Sequence, residues 1–361
     1  MASVIDFIGD TPLIEITIDA YAIGAEADAQ TAVASEGRST LMDRRNRTFE
    51  PSGQVAMEGR SSPTDRESGA YANGEKTGAQ TSPRKGARVF AKAEYFNPGG
   101  SIKDRAAKAM LLDGIKSGAL TKDKTIIDAT SGNTGIAYAM IGAALGYKVV
   151  LYMPANASIE RKTILRRYGA QIVPTDPLAS SDGAFLRAKE EAESNPDKYF
   201  YPNQYHNPQN PLAHYNGTGV EIWNQTKGRV THFVAMSGTC GTFCGTTKRL
   251  KELNRDIVAI NVQPDSPFHG IEGVKHMQST LKSGFYDETL VDRFAEVSTE
   301  EAYATTRRLA KEAGLYVGIS SGANVFAALR LAAELSSDEI VVTILNDNGF
   351  RYASDSFWEE R

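Results

Sequence analysis

The sequence predicts an α/β protein built on two parallel sheets. Three observations carry this. Strand-like and helix-like runs alternate from residue 88 to the end, glycine-rich turns sit where a strand passes into a helix, and a Pro/Asn-rich connection at 201–211 divides the alternation into two units. Alternating strands and helices produce parallel sheets covered on both faces.

Residues 10–18 read as a strand entered through Thr11-Pro12. The character changes at 20–86, which is rich in Gly, Ser, Thr, Ala and charge and lacks apolar periodicity. Such a stretch buries too little apolar surface to offset its ordering entropy, and is expected to be disordered or loosely draped. It is either an inserted regulatory or contact segment or a gene-model artefact such as an unspliced intron. Strands are then expected at 89–92, 125–129, 148–153, 171–174, 231–235, 257–263 and 340–345. Helices are expected at 106–117, 135–145, 158–168, 184–194, 245–252, 300–312 and 322–335. The apolar run 136–153 is interrupted by Gly146 and Lys148, and reads as a buried helix, a glycine stop and a strand rather than a membrane span.

The chain has 361 residues, 41% hydrophobic and 23% charged, with a net charge of −4. That balance fits a soluble globular protein and gives no basic footprint for nucleic acid or an anionic membrane. The first ten residues lack the basic start and apolar core of a signal peptide. Two cysteines, Cys240 and Cys244, make no disulfide framework and fit a reducing cytoplasm. With no histidine or further cysteine beside them, they are not read as a metal site.

Four turns carry the chemistry. Thr130-Ser131-Gly132-Asn133-Thr134-Gly135 opens a helix and offers backbone N–H groups, hydroxyls and an amide to a small anion such as a carboxylate; an ordinary N-cap uses the same residue types. Ser237-Gly238-Thr239-Cys240-Gly241-Thr242 has the same build, and phosphate is its natural guest. It lacks the Gly-Lys-Ser/Thr ending of a nucleotide P-loop, and neither turn fits the dinucleotide fingerprint. Gly318-Ile319-Ser320-Ser321-Gly322-Ala323 places a serine near the same strand ends, or is only a helix start. Asn97-Pro98-Gly99-Gly100-Ser101-Ile102-Lys103-Asp104-Arg105 sets a lysine at a helix entrance. Buried there, its amine becomes a nucleophile or base; taken alone, it is a surface charge.

In order and approximate spacing these four motifs resemble the cysteine synthase family, the β-replacing fold-type II pyridoxal-phosphate enzymes that include cystathionine β-synthase. Ile8-Gly9-Asp10-Thr11-Pro12-Leu13, Gln204-Tyr205-His206-Asn207-Pro208 and Gly349-Phe350-Arg351-Tyr352 extend the resemblance to the whole chain except 20–86. It implies a tryptophan-synthase-β-like architecture with the active site between two domains. Residues 1–19 would pack on the larger domain, 87–205 would form the smaller domain with the lysine and carboxylate turn, and 206–361 the larger domain with the phosphate cradle. By resemblance Lys103 is the Schiff-base lysine, and Asn133 bonds the 3′-oxygen of pyridoxal 5′-phosphate. Gly238, Thr239, Cys240, Gly241 and Thr242 cradle its phosphate, and Ser320 faces its ring nitrogen. Thr130, Ser131, Thr134 and Gln204 hold the substrate carboxylate.

The implied reaction is β-replacement on O-acetylserine or O-phosphoserine through an aminoacrylate, with sulfide giving L-cysteine. The resemblance also implies a homodimer and a serine acetyltransferase tail docking at the cleft mouth. Two departures stand out. Cys240 replaces a common glycine, and the loop 264–273 has no arginine to clamp a phosphoserine, leaving His269 and Lys275 as basic candidates or as surface and packing residues. Cystathionine β-synthase or another β-substituted alanine synthase is the first alternative, weakened because neither a haem segment nor a regulatory pair is visible. A non-catalytic protein using the cleft to dock a partner is the second.

Overall fold

In a computed structural model the described residues are 3–18, 86–130, 132–280 and 282–359. The expectation for 20–86 therefore lies outside the described residues except at Gly86. Among the described residues ten strands form two sheets. The smaller contains β3 (Thr125–Ala129), β4 (Val149–Pro154), β5 (Gln171–Thr175) and β6 (Tyr199–Phe200), in the order β5-β4-β3-β6 and all parallel. The larger adds β1 (Leu13–Glu15), β2 (Arg88–Ala93), β7 (His232–Met236), β8 (Val258–Pro264), β9 (Arg293–Val297) and β10 (Ile340–Leu345). Their order is β1-β2-β10-β7-β8-β9, and only the β1–β2 pair is antiparallel.

Central strands explain the parallel arrangement. Every residue of β4, β7 and β10 is buried, as expected when helices cover both faces of a sheet. Around the smaller sheet, α1 (Lys103–Lys116) and α2 (Asn133–Leu145) contribute Met110, Tyr138 and Ile141 to one core. α4 (Ser180–Ser194), which follows α3 (Ile159–Arg167), supplies Ala184, Ala188 and Ala192 to the other. The larger sheet lies between a core with Val325 and Ala328 and one with Phe233 and Phe243. α2 ends at Gly146 in a left-handed turn (φ +73°) before β4, so the 136–153 run is helix, glycine stop and strand. Among the described residues no helix is long and apolar enough to cross a membrane.

Several elements differ from expectation. β2, grouped from sequence with the smaller unit, is hydrogen-bonded between β1 and β10 in the larger sheet. β9 was not predicted because it is a largely exposed edge strand and lacks an apolar run. The Pro/Asn-rich connection leads into α5 (Gln209–Ala213), a π turn (His214–Thr218) and α6 (Gly219–Gln225). Pro211 falls in the first turn of α5, where a missing N–H costs nothing. α1, α2, α7 (Gly241–Leu253) and α9 (Ile319–Glu334) begin at Lys103, Asn133, Gly241 and Ile319, before their predicted starts. Small or polar residues in the first turns of α2, α7 and α9, and the charged Lys103-Asp104-Arg105 in that of α1, hide the helical period. α8 (Thr299–Ala313) carries a complete capping box from Ser298 and Glu301.

A buried ion network ties these parts together. Arg105 of α1 pairs through Nε with Glu94 at 2.7 Å and through Nη1 with Glu221 of α6 at 2.6 Å. Lys92 of β2 also reaches Glu221 at 2.6 Å, and the Thr11 hydroxyl donates to Glu94 at 2.7 Å. Burial would raise the Glu221 pKa, but the hydrogen bonds and charges of Arg105 and Lys92 hold it at about 2. Its stabilisation is present above its ordinary value of 4.5 and is lost as pH falls toward 2. Arg105→Ala leaves the buried Glu94 and the half-buried Glu221 short of their partner and is expected to lower the urea-unfolding free energy by about 3 kcal/mol at pH 7.

Candidate active site

The motif turns converge because each follows a strand's carboxyl end or opens a helix beside one, the usual place for ligands in open α/β sheets. They line a cleft of about 420 Å³. Lys103, first residue of α1, lines it. Burial pulls its amine below the ordinary lysine range, and the Asp347 carboxylate partly opposes this. The Gly99-Gly100 turn before it is held by Gly99 N–H donating to Asp104 at 2.6 Å.

Thr130, Gly132, Asn133 and Thr134 line the cleft after β3, while Ser131 lies outside the described residues. Gly132 N–H donates to the Thr130 hydroxyl at 3.2 Å, and the Thr134 hydroxyl donates to Gln204 Oε1 at 3.0 Å. Gln204, itself lining the cleft, thus joins the predicted carboxylate turn.

Gly238, Thr239, Cys240, Gly241 and Thr242 line the same cleft after β7. A Cβ on Gly238 would lie 2.4 Å from the Gly273 carbonyl oxygen, and one on Gly241 2.0 Å from Asn210 Oδ1. Cys240 turns the chain at φ +67° and sends its thiol to Met277 Sδ; burial pushes that thiol up to about 12. Its part in the turn is therefore backbone geometry. Ser320 lines the cleft from the first turn of α9, accepting from Asn346 Nδ2 at 3.0 Å.

Five further residues of this site had no assigned role in the sequence reading. Asn210 donates to both the Gln204 carbonyl and the Thr239 hydroxyl, at 2.8 and 3.1 Å, linking the two turns. His214, kept neutral by burial, sits 3.3 Å from the Thr242 hydroxyl. Arg161 of α3 lines the cleft, paired with Glu272. Of the two basic candidates near the 264–273 loop, Lys275 lines the cleft and lies 4.6 Å from the Tyr205 ring centre, while His269 accepts from Ile271 N–H. Asn346 and Asp347 follow β10. Their backbone groups bind both neighbouring turns: Ile102 N–H donates to Asn346 O, Gly318 N–H to Asp347 O, and Asn348 N–H to Gly100 O. The only sequence signal for any of these was Asn207-Pro208 before Asn210.

Pyridoxal phosphate asks for an amine, a small-anion receptor and room. Lys103 offers the amine. The N-cap of α7 makes no side-chain hydrogen bond, so its first-turn N–H groups and the hydroxyls of Thr239 and Thr242 suit a phosphate. The cleft volume falls within the usual range for small-molecule sites. These residues fit the group, and they define a class: α/β enzymes that work with pyridoxal phosphate.

A family model for pyridoxal-phosphate dependent enzymes matches residues 76–347, and the chain belongs to that family. Its relatives place it among the cysteine synthases. It is 52% identical to cysteine synthase of Aquifex aeolicus over 276 residues, covering 76% of this chain and 84% of that one. It is 40% identical to cysteine synthase B of Escherichia coli over 278 residues, covering 77% and 90%. Among solved structures, the cysteine synthase of Entamoeba histolytica superposes with a TM-score of 0.78 at 29% identity, covering 100% of this chain and 91% of that one. The O-acetylserine-dependent cystathionine β-synthase of Helicobacter pylori gives 0.76 at 30%, covering 99% of each.

Gly238→Ala forces the turn against the Gly273 carbonyl. Overpacking of this kind costs about 1–3 kcal/mol, so roughly tenfold weaker pyridoxal-phosphate binding is expected in equilibrium dialysis.

Proposed function

We propose that the chain catalyses β-replacement on an activated serine, with sulfide as nucleophile and L-cysteine as product. The observation that carries this is the placing of a half-buried lysine of lowered basicity in one cleft with two anion-receptive helix starts, one from each sheet. The 52% identity to a cysteine synthase supports it.

Each role is the one the family resemblance implies for that residue, and the lining of the cleft by Lys103, Thr130, Asn133, Thr134, Gln204, Gly238, Thr239, Cys240, Gly241, Thr242 and Ser320 supports it. The Gly238–Thr242 turn would hold the cofactor phosphate with neutral donors, Asn133 would bond the 3′-oxygen, and Ser320 would serve the ring nitrogen. When bound, pyridoxal phosphate supplies an electron sink for charge developing at the substrate Cα. Thr130, Ser131, Thr134 and Gln204 hold the substrate carboxylate, which fixes the Cα–H bond relative to Lys103. The lowered pKa of the Lys103 amine favours the neutral form, which can take that proton. A serine hydroxyl carries no charge and does not drive protonation of the ring nitrogen, which favours elimination at Cβ over side reactions. The division into a lysine-bearing smaller domain and a cradle-bearing larger one belongs to the same reading, with β2 assigned to the latter's sheet. So do a homodimer, a serine acetyltransferase tail at the cleft mouth and a cytoplasmic setting, the last in keeping with two free, buried cysteines.

Purified protein is given O-acetylserine or O-phosphoserine with sulfide, homocysteine or an amine, and products are identified by mass spectrometry. Cysteine from sulfide is expected to dominate; cystathionine as the main product would overturn the choice of nucleophile. Lys103→Ala is expected to reduce turnover by on the order of 10²–10⁴. Full turnover in that variant would remove the central assignment.

A further inference from the structure

Asn133 is gripped at both ends of its amide by charged side chains from the end of the chain. Its Nδ2 donates to Asp347 Oδ2 at 2.7 Å, and its Oδ1 accepts from Arg351 Nη1. An asparagine amide ordinarily turns over at little cost, because its two ends have nearly the same shape. Here it cannot. A carboxylate only accepts and a guanidinium only donates, so one orientation satisfies both partners and the reverse satisfies neither.

Both partners are buried and firmly placed. Asp347 is 1% exposed and Arg351 3%. Tyr352 donates its hydroxyl to Asp347 Oδ2 at 2.8 Å. Arg351 also donates through Nη2 to the Gly99 carbonyl in the lysine turn, and Asp347 bridges to Ser101 beside it. Asp347 Oδ1 is buried without a hydrogen-bond partner. A carboxylate kept at that cost behind Asn133, which lines the cleft, needs a reason, since an unsatisfied buried acceptor is unfavourable.

We infer that Asp347 and Arg351 are positioning residues that lock the Asn133 amide so that its second Nδ2 hydrogen, and not its oxygen, is offered to the 3′-oxygen of pyridoxal phosphate. This rests on reading the cleft as the cofactor site. With Nδ2 spending one hydrogen on Asp347, one remains for a ligand. The same arrangement makes Arg351 a tie between the amide and the turn that carries Lys103, so both approach the ring in fixed relation.

The test compares two ligands on cofactor-stripped full-length protein: pyridoxal 5′-phosphate and its 3-deoxy analogue, which lacks the oxygen in question. Dissociation constants are read by absorbance titration, independently of turnover. Asp347→Asn keeps the shape but presents an amide that suits either orientation of Asn133. It is expected to weaken pyridoxal phosphate roughly tenfold while changing the 3-deoxy analogue less than about twofold. In an Asn133→Ala background the same substitution is expected to have no selective effect. Arg351→Lys, which keeps the charge but loses the fork, is expected to repeat the selective loss and serves if Asp347→Asn does not fold. Equal losses for both ligands, or no loss, would overturn the inference and leave the cofactor site standing. If Asn133→Ala weakens pyridoxal phosphate and the 3-deoxy analogue equally relative to the unmodified protein, Asn133 does not meet the 3′-oxygen, and the inference falls together with that role.

Discussion

Three backbone hydrogen bonds made by residues 346–348 hold the site together. They bind the chain leaving β10 to the lysine turn on one side, through Ile102 and Gly100, and to the turn before α9 on the other, through Gly318. Backbone pairing of this kind is insensitive to side-chain rotamers and fixes the relative height of two helix starts. The lysine, the serine and the amide of Asn133 are then set by one short segment instead of three independent loops. A site whose parts share a support loses less precision to thermal motion than one built on separate turns.

The phosphate side is organised differently. No lysine or arginine belongs to the 237–242 turn, and its polarity comes from backbone N–H groups and threonine hydroxyls braced by Asn210 and His214. The turn itself brings no cation to the cleft, whose Arg161 and Lys275 come from other segments. Burial keeps His214 neutral as well. The cleft thus combines a turn of neutral dipoles with the Lys103 amine, whose lowered basicity Asp347 partly opposes.

What the sequence made legible was the set of glycine-bearing turns, because tight backbone approach leaves a compositional mark. Gly238 and Gly241 stand where any Cβ would collide, and such positions can be read without a structure. The alternation of strands and helices was legible for the same reason, since central strands buried on both faces must be apolar throughout. Asp347, Arg161, His214 and Asn210 were not legible. Each is a single polar residue whose role comes from a partner far along the chain: Asp347 meets Asn133, and Arg161 meets Glu272. Local sequence carries no record of such pairings. The helix starts are placed late because Gly, Ser and Thr in the first turns of α2, α7 and α9, and the charged run Lys103-Asp104-Arg105 in that of α1, erase the apolar period. Domain grouping failed to anticipate β2 in the larger sheet because strand order is not a function of sequence order.

The pairing of β1 with β2 has a consequence for how this chain tolerates change. The two strands are antiparallel neighbours, with Leu13 opposite Lys92 and Ile16 N–H reaching the Val89 carbonyl. Antiparallel neighbours need only a few residues to join them. The path from one to the other can therefore lengthen without disturbing the register on either side, and each doubling of its length costs only about 0.6 kcal/mol in closure entropy. This point on the sheet edge is a natural port for added sequence: a reporter or recognition module could be exchanged there while the strands remain in register.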